Sequence, residues 1–152
     1  MNTISGIHIT KAGNHYRQSI VSLLQSEKLP VDDLPSQLDN FFVAIEAGKV
    51  IGAIGLEQYG NCGLLRSMVV NNTYRNQSIA SRLVGELEEN ARNAGIDCIY
   101  LLTESAPGYF ERKGYKRISR TDVPESIQAS SEFSGVCPVS AIVMKKTIDS
   151  YE

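Results

Sequence analysis

Hydrophobic and polar positions change period several times along this chain, and each change marks an element. Ile7 to Thr10 reads as a short strand, after which Tyr16, Ile20, Leu23, Leu24 and Leu29 suit one face of an amphipathic helix. The stretch Leu29-Pro30-Val31-Asp32-Asp33-Leu34-Pro35 breaks that helix, and a short helical turn is expected at Ser36 to Asp39. Three strand-like runs follow: Phe41 to Glu46, Val50 to Glu57 and Leu64 to Val70. Ala47-Gly48-Lys49 and Tyr59-Gly60-Asn61 supply the turns, which predicts an antiparallel meander.

Past Val70 the period lengthens. Ile79, Ala80, Leu83, Val84, Leu87, Ala91 and Ala94 line one helical face, and Gly95 is placed to close that helix in the left-handed conformation. Ile96 to Leu102 is apolar on both faces, as a parallel strand covered on both sides would be. A second helix starts near Ser105 or Ala106, with Pro107 in its first turn and Gly114 at its end. Tyr115 to Ile118 and Ala141 to Lys146 read as closing strands, with a short helix over Pro124 to Ser131 between them. The order β-α-β-β-β-α-β-α-β with a late strand predicts an α/β fold: a mixed, twisted, mostly antiparallel sheet with helices on both faces.

At 152 residues the chain suits a single domain. A formal net charge of −2 argues against a nucleic-acid protein, which would show a basic face. The longest apolar run, Phe41 to Ile45, is far short of the ~18 residues of a membrane helix, and Met1-Asn2-Thr3-Ile4-Ser5 shows no export signal. Cys62, Cys98 and Cys137 are odd in number, widely spaced and without a CxxC pair, so neither a disulfide framework nor a metal site is expected. The expected location is cytoplasmic.

Chemistry concentrates in Ser67 to Ala80. A strand ends, a polar turn follows, and Arg75 precedes small residues that open a helix. The first N–H groups of a helix lack internal partners and sit at the positive end of its dipole, which makes an anion site. Small Ser78, Ala80 and Ser81 would let a diphosphate approach the backbone; an ordinary strand-to-helix turn is the plainer alternative.

Arg75-Asn76-Gln77-Ser78-Ile79-Ala80 resembles the acyl-CoA-binding motif of the GCN5-related N-acetyltransferases, Arg/Gln-x-x-Gly-x-Gly/Ala, with Ser78 in place of the first Gly. Ala106-Pro107-Gly108-Tyr109-Phe110-Glu111-Arg112-Lys113-Gly114-Tyr115 resembles the family's second cofactor motif, and the similarity in order and spacing covers nearly the whole chain. Leu64-Leu65-Arg66-Ser67, Leu101-Leu102-Thr103, Phe110 with Gly114-Tyr115, and Phe133 with Cys137-Pro138 resemble the branch encoded in bacterial arsenic-resistance operons.

The resemblance implies a splayed parallel strand pair and acetyl-CoA as co-substrate, with no metal. Met68, Val69 and Val70 would pair with the pantetheine arm, an N–H near Val69 or Val70 holding the oxyanion. Arg75, Asn76, Gln77, Ser78, Ile79, Ala80 and Ser81 would wrap the pyrophosphate, and Phe110 and Arg112 belong to the second cofactor motif. A serine at a helix start is expected to keep ordinary dihedrals, its hydroxyl replacing the closeness that glycine allows. Glu57 is the candidate base, acting through water, and Tyr109 the candidate acid for the leaving sulfur, although the family's tyrosine more often falls where this chain has Phe110. Arg66 would either grip an acceptor carboxylate or form an ion pair with Glu57 or Glu104. Thr103, Glu104 and Cys137 are candidate pocket residues, and nothing in their spacing makes the three cysteines converge.

The function implied is acetyl transfer to the amine of a small, amino-acid-like acceptor by direct attack, in a context of arsenic resistance or detoxification. The alternative is a non-catalytic acyl-CoA- or metalloid-binding accessory or sensor protein. Neither nucleic acid nor membrane is an expected partner, and a homodimer is left open.

Overall fold

A computed structural model describes residues 6–29, 31, 34, 35, 37–74, 78–104, 106–130 and 141–148. Its elements run β1 (Ile7–Lys11), α1 (Arg17–Ser26), β2 (Phe41–Glu46), β3 (Lys49–Tyr59), β4 (Cys62–Val70), α2 (Ile79–Asn93) and β5 (Cys98–Thr103). They continue through α3 (Pro107–Arg112), β6 (Lys116–Ile118), α4 (Glu125–Gln128) and β7 (Ile142–Thr147). The sheet is mixed, in the order β1-β2-β3-β4-β5-β7-β6: β4 and β5 are parallel, whereas β1 with β2, β2 with β3, β5 with β7 and β6 with β7 are antiparallel. By its contacts the chain divides into two units, residues 1–56 with 67–89 and residues 57–66 with 90–152.

In the first unit, the stripe on α1 buries Ile20, Leu23 and Leu24 against Leu38, Phe41, Val43, Ile45 and Val69. Leu29 lies beyond the end of α1 and is exposed, so the helix stops a turn earlier than its apolar spacing suggested. Of the helical turn expected at Ser36 to Asp39, Ser36 lies outside the described residues, and among the described ones Gln37 and Leu38 are irregular while Asp39 opens a turn into β2. Arg17 explains this, because its guanidinium donates to the carbonyls of Pro35 (2.6 Å) and Leu34 (3.4 Å). The Leu38 N–H meanwhile donates to the Asn14 side chain at 3.2 Å. Groups that would close a helical turn are thus held by side chains.

Two glycines in β3 make room for neighbours. A Cβ on Gly55 would lie 2.4–2.6 Å from the ring of Phe41, its register partner on β2. On Gly52 it would meet Leu83 Cδ1 at 3.2 Å and the Val69 carbonyl at 3.3 Å, so α2 beds closely on β3.

The second unit is organised around β5 and β7, paired from Cys98↔Thr147 to Thr103↔Ile142, with β6 on the other edge of β7. Its core joins Leu64, Cys98, Tyr100, Val123, Ile127 and Val143. Gly95, at φ 83°, ends α2 in a Schellman arrangement: Ile96 N–H donates to the Ala91 carbonyl and Gly95 N–H to that of Arg92. Among the described residues, no helix is long and apolar enough to cross a membrane.

Candidate active site

The parallel register of β4 with β5 covers Cys62↔Cys98, Gly63↔Ile99 and Leu64↔Tyr100, although β4 runs on to Val70 and β5 to Thr103. Beyond Leu64, Ser67 takes φ 58°, and a left-handed residue inside a strand bends it. Met68, Val69 and Val70 therefore lie past both the register and the bend.

The chain then turns within the first unit. Asn71 N–H donates to the Ile51 carbonyl (2.8 Å), while the Asn71 carbonyl and side chain accept from Tyr74 N–H (2.8 Å) and Thr73 N–H (2.9 Å). This side chain-closed turn is what asparagine favours after a strand. The Tyr74 hydroxyl donates to Glu46 at 2.6 Å, and that bond raises the phenol's pKa.

Arg75, Asn76 and Gln77 lie outside the described residues. Ser78 follows, exposed, at φ 63°. The expectation of ordinary dihedrals at Ser78 is therefore incorrect: the backbone keeps the left-handed turn at the motif's glycine position, and a serine is held in it. At the start of α2, Arg82 N–H donates to the Ser78 carbonyl at 3.1 Å. Ile79 is buried, while Ala80 and Ser81 are half-buried.

In the second unit, Glu57 is the hub of a polar chain. Arg66 Nη1 donates to Glu57 Oε2 at 2.6 Å, with the Arg66 side chain 1% exposed and that of Glu57 17%. Tyr59 OH donates to Glu57 Oε1, also at 2.6 Å, and the Ser130 hydroxyl donates to the Tyr59 oxygen. Burial first, and then the bond to Glu57, push the Tyr59 phenol up to about 12. Of the two roles open to Arg66, the structure shows the ion pair, and with Glu57 rather than Glu104, which is exposed. Each Glu57 oxygen retains a second lone pair for a water.

Sequence reading missed Tyr59 and Ser130. Tyr59 was accessible from its spacing, since residues two apart share a strand face. Ser130 carried no local signal, arriving from just beyond α4.

Tyr109, in α3, meets Phe110 edge-on at 5.2 Å and has Lys113 Nζ 5.5 Å from its ring centre. Phe110 is buried between Tyr109 and Tyr115, a core position inside the second cofactor motif. Arg112 is exposed. The Thr103 hydroxyl accepts from Ala106 N–H at 3.0 Å and so shapes the entry to α3. Cys137 lies outside the described residues. Cys62 and Cys98, which spacing did not unite, are in contact: their sulfurs are 3.2 Å apart. Among the described residues, no three His, Cys, Asp or Glu side chains gather as a metal would require.

The acetyltransferase (GNAT) domain profile matches residues 37–117, more than half of the chain. The chain belongs to the GNAT acetyltransferase family. A family relative from Chlorobaculum tepidum, named as an uncharacterized N-acetyltransferase, is 32% identical over 101 residues, covering 66% of this chain and 64% of its own length. The chain spans less than two thirds of the length of the sequence relatives it matches. Solved GNAT structures share the fold. An acetyltransferase from Staphylococcus aureus superposes with a TM-score of 0.75 at 23% identity, over 94% of this chain and 99% of that one. The N-acetylglutamate synthase of Neisseria gonorrhoeae, complexed with coenzyme A and N-acetyl-glutamate, gives 0.81 at 16% identity, over 97% of this chain and 36% of the synthase. The mixed sheet with its parallel strand pair and helices is the GNAT fold.

Proposed function

We propose that residues 1–152 act as a single acetyl-CoA-dependent N-acetyltransferase domain in the cytoplasm, transferring acetyl to a small amino-acid-like amine by direct attack. The observation that carries this reading is the left-handed Ser78 at the start of α2, at the glycine position of the cofactor motif, in a member of the GNAT family. The Neisseria synthase with coenzyme A and N-acetyl-glutamate, and a 24% identical relative named as an amino-acid acetyltransferase, support this donor and acceptor class.

The main-chain groups of Met68 to Val70 lie past the β5 register and serve the pantetheine arm, with an N–H near Val69 or Val70 facing the oxyanion. Donors at Asn76 to Ser81, with the charge of Arg75, hold the pyrophosphate, and Arg112 adds charge from the second motif. Glu57, held in place by Arg66 and Tyr59, takes the ammonium proton through a water on its remaining lone pairs. The freed amine lone pair attacks the thioester carbon, and Tyr109 protonates the departing sulfur. Arg66 is a positioning residue that fixes the Glu57 carboxylate, while Thr103, Glu104 and Cys137 are pocket residues. Sequence patterns such as Leu64-Leu65-Arg66-Ser67 support the finer reading, a detoxifying role in arsenic resistance.

Calorimetric titration with CoA, followed by thiol-release assays over a panel of amino-acid-like amines, tests the proposal. Saturable CoA binding and amine-dependent release that falls in Glu57→Gln are expected. Binding with no turnover on any amine would reject the enzyme reading.

A further inference from the structure

Cys62 opens β4 and Cys98 opens β5, and the two are direct register partners in the parallel pair of the second unit. Neighbouring strands run about 4.8 Å apart, inside the roughly 4.4–6.8 Å Cα window that a disulfide spans. Opposed residues in a parallel pair face the same side, and here the sulfurs are already 3.2 Å apart. Cys62 is half-buried and Cys98 buried, both as free thiols. The turns around them are tied: Asp97 N–H donates to the Asn61 carbonyl at 2.8 Å, and Asn61 Nδ2 donates to Asp97 Oδ2 at 2.7 Å. Asp97 is thus engaged beside the thiols, and what remains is a two-sulfur arrangement suited to two-electron chemistry.

We propose that Cys62 and Cys98 form a dithiol redox site that takes a low-molecular-weight disulfide as oxidant and closes to an intramolecular disulfide. Cys62, the more exposed sulfur, loses its proton and attacks one sulfur of the oxidant. A mixed disulfide forms, and the first small thiolate leaves to be protonated. Cys98 then gives up its proton, attacks Cys62 Sγ and expels the second small thiol. Two protein thiols and one disulfide become one protein disulfide and two small thiols, so the protein loses two hydrogens and the oxidant gains them. The proposal is independent of acetyl transfer.

Burial, followed by the contact with Cys98, pushes the Cys62 thiol up to about 11. Asp97 adds to that rise and Lys145, from β7, opposes it, while Tyr100 on β5 also interacts with both thiols. The Cys62 thiolate is then scarce at neutral pH, and the reaction is slow there.

The test uses the full chain carrying Cys137→Ser, incubated with glutathione disulfide and read by intact mass and peptide mapping. The expected product is two hydrogens lighter, with Cys62 and Cys98 cross-linked, and is restored by reductant. Its formation rate should rise about tenfold per unit between pH 7 and 10. Adding Cys98→Ala should trap a stable glutathione adduct on Cys62, whereas Cys62→Ala should leave Cys98 unreacted without denaturant. A stable adduct on Cys62 while Cys98 is present, a cross-link between chains, or reaction only after unfolding would each overturn the proposal.

Discussion

Replacing Ser78 by glycine separates the backbone's demand from the side chain's contribution. A non-glycine residue in the left-handed region costs about 1–2 kcal/mol, and Ser78 carries that cost at φ 63°. Glycine removes it, but gains roughly 0.4–1 kcal/mol of unfolded-state entropy and gives up a few tenths at a helix start. The balance is a stabilisation of about 0.5 kcal/mol, or a Tm higher by roughly 1–2 °C for a chain this size. Because the Cβ leaves an exposed position at the α2 entrance, the CoA dissociation constant should also fall several-fold. Ser78→Val, whose branched Cβ tolerates this region poorly, should move both quantities the other way. Scanning calorimetry with CoA titration on the three proteins reads both effects. If glycine lowers Tm, or valine matches serine, the strained-turn reasoning is wrong.

Gly55→Ala should cost about 1–3 kcal/mol in urea denaturation, and Phe41→Leu should recover part of that loss, because the three atoms nearest the new methyl all belong to the Phe41 ring. Arg66→Met, which strands a part-buried carboxylate, should cost about 3 kcal/mol; an unchanged urea midpoint would count against the ion pair as a support. Glu57→Gln should lower kcat/KM by about a hundredfold or more while CoA affinity holds, as measured by thiol release and calorimetry. Alkaline stability should fall between about pH 10 and 12. There the unfolded chain loses phenolic protons that folded Tyr59 and Tyr100, each raised to about 12 by burial, still hold. The stabilisation is complete below pH 10 and lost as pH rises; urea midpoints across that range should drop less steeply in Tyr59→Phe.

Local periodicity made much of the fold legible. The stripe from Ile79 to Ala91 is α2, Gly95 closes it, and Ile96 to Leu102 overlaps β5. Conformations that a side chain does not advertise stayed hidden. Ser67 and Ser78 are left-handed, yet serine takes ordinary dihedrals almost everywhere. The irregular path at Gln37 and Leu38 depends on Arg17 and Asn14, more than twenty residues earlier for Leu38. At the candidate site, Arg66 was visible as an unusual charge in a strand run and Glu57 through the family resemblance, but their linkage to Tyr59 and Ser130 depends on tertiary placement. The contact of Cys62 with Cys98 needs the parallel register, which a crossover through α2 leaves unspecified in sequence.

Strand β7 separates β5 from β6, so among the described strands the one latest in the sequence fills an interior slot. A nascent chain that has already emerged through Ile118 holds β6 without its strand partner until Thr147 follows it. The edge of β5 that β7 covers therefore stays unpaired until β7 has been made, and an unpaired strand edge is a surface that holdase chaperones can take during synthesis.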